Sequence, residues 1–292
     1  MRPAAASCKT PTMIEPNRIV VGDCIEVLGQ VAEPAADLIF ADPPFNIGYK
    51  YDLYEDTKKY DEYYAWTERW MAACHRVLKP AGTFWVAIGD EYAAEVRIIA
   101  RKLGLFLRNW VIWHYTFGQS TTHKFARSHA HLFYWTRAPR DFTFNAAAVR
   151  VPSARQTTYN DKRANPKGRI PDDVWSFSRL CGTFNERVQW HPCQMPEAVL
   201  ERIVAVSSDP GDLVLDPFSG SGTTCAVAAR LGRQYFGIDV SEQYVQKSTE
   251  RIADTLAGRR PVTEIAENPE QLRPLRQVGS KPKPADAPRL FE

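Results

Sequence analysis

The chain has 292 residues, of which 44% are hydrophobic, 24% charged and 12% aromatic. These globular values exclude a wholly disordered, collagen-like or coiled-coil protein, and no apolar run approaches the roughly 18 residues of a membrane span. The length corresponds to one or two domains, and a net charge of +3 is too small to identify a partner by itself.

The chain opens with residues 1–13, an expected flexible arm that lacks the apolar stretch of a secretory signal, so we expect a cytoplasmic protein. A short strand then ends near Val21, and the turn Gly22-Asp23 leads into a short helix. A second strand, residues 37–41, stops at Asp42-Pro43-Pro44-Phe45, because proline has no amide hydrogen for a sheet ladder. The sequence therefore predicts that this motif is displayed on a loop at a strand end.

Helices and strands alternate along the rest of the chain, which predicts a mostly parallel sheet with helices on both faces. The predicted helices are 58–78, 92–103, 197–207, 225–231 and 242–256, and the predicted strands are 83–88, 109–115, 132–136, 213–215 and 235–240. The stretch 137–187 is basic, with ten Lys and Arg against five Asp and Glu. Residues 259–292, rich in proline and charge, are predicted to form a disordered tail. The six cysteines contain no CxxC pair, so no disulfide framework or zinc site is indicated.

A glycine-rich turn, residues 218–222, lies between a predicted strand and a predicted helix, and Asp239 follows Gly220 by 19 residues. This spacing suits an acid that binds ribose hydroxyls, and glycines let the backbone approach a ligand closely. A third glycine at GxGxxG spacing and a GK[ST] motif are both missing from the sequence, which disfavours a dinucleotide and a triphosphate. The pattern favours an adenosine-containing cofactor.

The Asp42-Pro43-Pro44-Phe45 motif offers a carboxylate, a rigid carbonyl and an aromatic face. Asp42 and the Pro43 carbonyl could each accept one N–H of a planar amine while Phe45 stacks on its ring. An ordinary turn with a helix-capping aspartate is the alternative for Asp-Pro alone. The cofactor motif favours the functional interpretation.

Four motifs in chain order resemble those of the beta group of bacterial S-adenosylmethionine-dependent DNA adenine-N6 methyltransferases: GDCIEVL at 22–28, ADPPFN at 41–46, HPCQMPEAVLERIV at 191–204 and FSGSG at 218–222. The resemblance covers about residues 18–256. It implies a Rossmann-like class I methyltransferase fold with a mostly parallel seven-stranded sheet and a permuted order, the catalytic motif preceding the cofactor motif. The implied parts are a catalytic half (14–136), a target-recognition segment (137–190) and a cofactor-binding half (191–258).

The resemblance also implies a role for each matching residue. Asp42 and Pro43 would accept the adenine N6 hydrogens, Pro44 would shape the turn, and Phe45 would stack on the flipped base. S-adenosyl-L-methionine would contact Asp23, Cys24, His191, Gln194, Asp216, Phe218, Ser219, Gly220, Ser221, Gly222, Thr223 and Asp239. Relatives commonly carry Lys where this chain has Met195, so a cofactor contact from that side chain is not expected.

Double-stranded DNA is the implied partner, with basic side chains in and before the recognition segment contacting phosphates. The candidates are Lys124, Arg127, Arg155, Lys162, Arg163, Lys167 and Arg169. A second copy of the chain, as a homodimer, and a cognate restriction endonuclease are candidate partners; no membrane contact is expected. His129 and His131 suggest no metal, because a third ligand at suitable spacing is missing from the sequence.

Alternatives remain open at this point. An N4-cytosine methyltransferase performs the same chemistry but usually carries serine at the position of Asp42. Methyltransferases acting on RNA or on protein glutamine usually place the cofactor motif first. A DNA-binding protein without catalysis would be expected to lose the acid or the glycines, and a Rossmann oxidoreductase would carry its glycine turn after the first strand.

Overall fold

The computed structural model describes residues 13–32, 34–115, 121–182 and 184–259. In these residues one sheet has eight strands in the order β1-β8-β7-β2-β3-β5-β4-β6. The strands are β1 (Arg18–Val21), β2 (Ala36–Ala41), β3 (Leu78–Ile88), β4 (Phe106–His114), β5 (His129–Thr136), β6 (Val174–Ser176), β7 (Leu213–Asp216) and β8 (Gln234–Asp239). Strand β5 is antiparallel to its neighbours β3 and β4, whereas the other pairs are parallel. The expected fold class is confirmed, with one strand more than the seven expected.

Seven α-helices connect these strands within the same described ranges. They are α1 (Cys24–Gly29), α2 (Tyr60–Val77), α3 (Ala93–Lys102), α4 (Ala154–Thr157), α5 (Glu197–Ser207), α6 (Thr223–Arg230) and α7 (Glu242–Leu256), and a 3-10 helix covers Ala146–Val149. Each predicted helix has a counterpart, and 197–207 and 242–256 match to the residue. The predicted arm and tail lie outside the described residues except for Met13 and Arg259. Among the helices described, none is both long and apolar enough to cross a bilayer.

Strand β3 differs from the prediction, which placed a turn at 79–82 and began the strand at Thr83. In the structure α2 ends at Val77 and the strand begins at once with Leu78. Leu78 pairs with Ala36, and the register then shifts before the next pair, Leu38 with Thr83. The proline and glycine that indicated a turn therefore occupy an irregular part of a continuous strand.

Strand β6 was not predicted, because it is three residues long and lies inside the basic segment. It pairs in parallel with β4, placing Val174 beside Ile112 and Trp175 beside Trp113. The Trp113 indole donates to the Phe177 carbonyl at 2.8 Å, and Trp175 is buried. The expected target-recognition segment is thus attached to the sheet as its edge strand.

The hydrophobic core lies on both faces of the sheet because successive strand residues point to opposite sides. Leu38 and Phe40 of β2 pack on the face covered by α5, α6 and α7. Ile39 and Ala41 pack on the other face, with residues of α1, α2 and α3. Sheet burial on both sides explains the nearly continuous apolar strands of the sequence.

The sheet changes direction of connection between β2 and β7, which are parallel neighbours with Leu38 beside Val214 and Ile39 beside Leu215. From this pair, β7 continues to β8 on one side and β2 to β3 on the other. A crevice opens at the carboxyl ends of the strands at such a point, where ligands bind in open α/β sheets. The two motifs separated in sequence therefore meet here.

Candidate active site

A cavity of about 590 Å³ lies at the carboxyl ends of β2 and β7. Its walls include all four residues of the Asp42–Phe45 motif and all but one of the twelve residues expected to contact the cofactor. The exception is Gly222, where an added Cβ would lie 2.6 Å from the Ser248 Cβ of α7. A volume of this size accommodates a nucleoside cofactor together with a base.

The glycine loop connects β7 to the N-terminus of α6. Gly220 has a left-handed φ of +46°, and its amide donates to Asp239 Oδ2 at 2.8 Å, tying the loop to the end of β8. A Cβ on Gly220 would lie 2.7 Å from His191 Nε2, so only glycine fits against that ring. The loop thus presents bare backbone to the cavity, with Asp239 beside it.

The first helix contributes a second acid to the same wall. Asp23 caps α1, with Oδ1 accepting the amide of Ile25 at 2.7 Å. Cys24 is buried behind it, and burial raises the pKa of its thiol to about 12, so the thiol stays protonated. Both residues line the cavity, as expected from the sequence.

The HPCQMP motif packs beneath the glycine loop. His191 is buried, and desolvation lowers its pKa to about 4, so the ring is neutral at physiological pH. Gln194 accepts the Val188 amide at 2.7 Å and donates to the Glu186 carbonyl at 3.0 Å. Its side chain therefore holds the backbone that follows the recognition segment, and its expected cofactor contact stays a prediction. Met195 is buried in the core.

Two carboxyl groups share the floor of the cavity. Burial raises the pKa of Asp42 to about 8, and the negative charge of Asp216 adds to this shift. Burial likewise raises the pKa of Asp216 to about 7, although hydrogen bonds from Thr224 and the Phe218 amide oppose it. A bound cation would favour the ionised form of both groups.

The catalytic turn is supported from behind by α2. The Tyr63 hydroxyl donates to the Pro44 carbonyl at 2.7 Å, and Tyr63 is 1% exposed. Phe45 lies over Gly89, where an added Cβ would be 3.3 Å from Phe45 Cδ2. The turn therefore has a fixed backbone, and its aromatic ring has room at the cavity wall.

Several residues of the cavity wall were not identified from the sequence. They include Tyr49, Tyr51, Arg179, Cys193, Ser241 and Tyr244. Position inside the HPCQMP motif could have indicated Cys193, and closeness to Phe45 could have indicated the two tyrosines. No local pattern distinguishes Arg179 from the other arginines of the basic segment.

The expected DNA-binding residues fall into two groups. Lys124 and Arg127 line the cavity, and Arg127 pairs with Asp90 at 2.9 Å and with Glu91. The other five lie outside the cavity wall: Arg155, Lys162, Arg163, Lys167 and Arg169. Arg163 pairs with Asp161 at 3.0 Å and Arg169 with Asp172 at 2.6 Å, whereas Lys162 and Lys167 are exposed.

The chemistry of this cavity fits S-adenosylmethionine. A cation with ribose hydroxyls matches a site whose floor and wall carry the acids Asp42, Asp216 and Asp239. The bare backbone at Gly220 gives a cofactor chain close access.

Comparison with known proteins identifies relatives over most of the chain. Type II methyltransferase M.HpaI from Haemophilus parainfluenzae is 35% identical over 244 residues, which cover 82% of this chain and 76% of that protein. DNA adenine methyltransferase YhdJ from Escherichia coli (strain K12) is 34% identical over 246 residues, covering 82% and 83% of the two chains.

Solved structures give the same result. The DNA modification methylase TTHA0409 from Thermus thermophilus, in complex with S-adenosyl-L-methionine, has a TM-score of 0.59 and 25% identity over 82% of this chain and 95% of its own. The M1.HpyAVI–SAM complex shares the fold, with a TM-score of 0.59 and 21% identity over 80% of this chain and 98% of its own. The N6/N4 DNA methylase family model matches residues 36–250. The chain therefore belongs to the N6/N4 family of DNA methylases.

Proposed function

We propose that the chain transfers the methyl group of S-adenosylmethionine to the N6 amine of an adenine flipped out of double-stranded DNA. The observation that carries this proposal is the shared cavity in which Asp42 and Pro43, at the end of β2, face the glycine loop at the end of β7. The adenine assignment is supported by Asp42 and by the relative named as a DNA adenine methyltransferase.

The amine of adenine is a poor nucleophile because its lone pair is delocalised into the ring. Asp42 and the Pro43 carbonyl accept the two N6 hydrogens, which favours a pyramidal nitrogen with a localised lone pair. The Pro44 carbonyl already accepts from Tyr63, so the Pro43 carbonyl is the acceptor assigned to the base. S-adenosylmethionine, when bound, supplies an electrophilic methyl group. Positioning and electrostatics account for the catalysis.

Each cavity residue has a place in this proposal. Phe45 stacks on the flipped base and offsets part of the unstacking cost, with about 1–3 kcal/mol for one base. Asp239 binds the ribose hydroxyls, Asp23 and Cys24 border the cofactor adenine, and the backbone of the glycine loop encloses the methionine part, with His191 and Asp216 beside it.

The basic side chains contact DNA phosphates in this proposal. Lys124 and Arg127 lie near the flipped nucleotide, and the exposed Lys162 and Lys167 contact the duplex farther away. The segment 137–190 is the target-recognition part, between the catalytic half 14–136 and the cofactor half 191–258.

The proposal extends to partners and location. A cytoplasmic enzyme has direct access to DNA, and a homodimer could act on the two strands of a site. The similarity to type II methyltransferases favours a cognate restriction endonuclease as a functional partner.

Methyl transfer from radiolabelled cofactor to unmethylated genomic DNA tests the proposal. The product is digested to nucleosides, and the wild type is compared with Asp42→Ala and with Asp61→Ala, an exposed control on α2. We expect label in N6-methyladenosine that disappears only in Asp42→Ala. Label in N4-methylcytosine would overturn the base assignment, and cofactor binding without transfer to DNA would overturn the proposed substrate.

A further inference from the structure

A short segment of chain, residues 46–58, follows the catalytic turn directly and crosses the cavity; we refer to it as the bridging segment. Tyr49 and Tyr51 of this segment line the cavity. At its far side, the Ser241 hydroxyl donates to Asp52 Oδ2 at 2.5 Å, and Ser241 follows the end of β8 by two residues. The bridging segment therefore connects the catalytic turn with the cofactor side of the cleft.

One buried carboxylate organises the start of this segment. Asp56 is 2% exposed. Its Oδ1 accepts the amide of Asn46 at 2.7 Å, and its Oδ2 accepts the amides of Ile47 at 3.1 Å and Tyr49 at 2.9 Å. The Asp56 carbonyl also accepts the Gly48 amide at 2.8 Å. Hydrogen bonds to an ionised acceptor are stronger than neutral ones, so these contacts fix four consecutive residues after Phe45.

The base of the segment is closed by Asn46, which has a left-handed φ of +59°. Its side chain accepts the Lys58 amide at 2.6 Å and donates to the Lys58 carbonyl at 2.8 Å and to the Tyr92 hydroxyl at 2.8 Å. The reversal of the chain immediately after the catalytic turn is thus determined from two sides. A change at Asp56 would be transmitted to the turn through Asn46, the residue next to Phe45.

We propose that Asp56 is a positioning residue for methyl transfer, whose carboxylate holds the backbone of residues 46–49 and thereby fixes the catalytic turn on one side and Tyr49 and Tyr51 at the cavity wall on the other. This inference rests on the proposed function. Asp56 touches neither substrate nor cofactor, so its effect is expected on the rate of transfer rather than on cofactor binding.

Chemical differences between acid and amide provide the test. In Asp56→Asn one acceptor oxygen becomes an NH₂ donor, which cannot accept the amides that Asp56 Oδ1 or Oδ2 now bind. Asp56→Glu keeps the charge, so it is expected to restore part of the effect. Glu55→Gln removes a charge from the neighbouring exposed side chain and serves as the matched control.

Single-turnover methyl transfer, cofactor affinity by calorimetry and thermal unfolding are measured for each variant. We expect Asp56→Asn to lower the single-turnover rate by on the order of 10²-fold, as a small displacement of reacting groups does. Cofactor affinity and melting temperature should stay close to those of Glu55→Gln. An unchanged rate would overturn the proposal, and so would a parallel loss of rate, affinity and melting temperature, which indicates a structural role alone.

A second measurement separates this inference from the proposed function. Amide hydrogen exchange at Asn46, Ile47 and Tyr49 is expected to accelerate in Asp56→Asn and to stay slow in Glu55→Gln. If the wild type methylated no adenine, the proposed function would fail, and the exchange data would still decide whether Asp56 holds this backbone. Equal protection in the two variants would overturn the positioning role.

Discussion

Arg251 Nη1 donates to the carbonyl oxygen of Ser221 at 2.9 Å, joining the last helix to the cofactor loop. The same nitrogen contacts Thr223 Oγ1 at 2.8 Å, and Nη2 pairs with Glu197 Oε1 at 2.9 Å. Arg251 is 3% exposed, so these contacts form away from water. The glycine loop is therefore held from below by a guanidinium that is itself held by α5.

Replacing Arg251 by alanine should destabilise the fold and loosen the loop together. Removing one partner of a buried ion pair costs about 3–5 kcal/mol; Arg230 also pairs with Glu197, at 3.3 Å, so the lower end is expected. Chemical denaturation measures this cost, and calorimetry should show weaker cofactor binding. Arg259→Ala, at an exposed pair with Asp254, should cost about 1 kcal/mol or less. Equal effects of the two substitutions would contradict the assigned role of Arg251.

Cofactor affinity should depend on pH because Asp42 and Asp216 have raised pKa values of about 8 and about 7. A cation bound beside them favours their ionised forms, so binding releases protons and affinity rises as pH increases from 6 to about 8. The demethylated product, S-adenosylhomocysteine, is a neutral thioether at sulfur and should show a weaker dependence. Calorimetry of both ligands across this range checks the prediction, and Asp42→Asn should reduce the slope. Identical pH profiles for the two ligands would contradict it.

Gly220→Ala should abolish cofactor binding without unfolding the chain. An alanine there has an unfavourable positive φ, worth about 1–2 kcal/mol, and its Cβ would lie 2.7 Å from His191 Nε2. Gly104→Ala is the matched control, since Gly104 has a φ of +79° but no atom within 4 Å of an added Cβ. Both variants should lose similar stability by denaturation, and calorimetry should detect lost binding only at Gly220. Retained affinity in Gly220→Ala would count against the loop as a cofactor cradle.

Exposed lysines of the recognition segment should contribute to DNA affinity through phosphate contacts. Lys162→Gln and Lys167→Gln are each expected to reduce the slope of log affinity against log salt by about 1, with little change in sequence preference. Fluorescence anisotropy over a salt series measures this slope. Lys102→Gln provides a control, because Lys102 pairs with Glu68 on the α2–α3 side. An unchanged slope in both recognition-segment variants would show that the DNA does not contact these positions.

The sequence predicted the fold and most of the cavity because their signals are local. Periodic apolar residues indicated the helices, and the prolines after Ala41 marked the strand end at Asp42. Strand β6 was missed because three residues in a polar stretch have no usable period, and pairing with β4 alone makes them a strand. The role of Asp56 was missed for a similar reason: its carboxylate acts through backbone amides seven to ten residues away, which no side-chain pattern marks.

Leu38 and Val214 are hydrogen-bonded neighbours at the centre of the sheet, although 176 positions separate them in the chain. During synthesis on the ribosome, β2 therefore emerges long before its permanent neighbour exists. Its apolar edge has to wait, open or covered by other parts of the nascent chain, until the final third of the chain is made. Contacts this distant in sequence slow folding, because a large loop must close before they stabilise anything. The permuted order of motifs thus makes completion of the cleft a late event, and the enzyme cannot bind its cofactor before the chain is nearly complete.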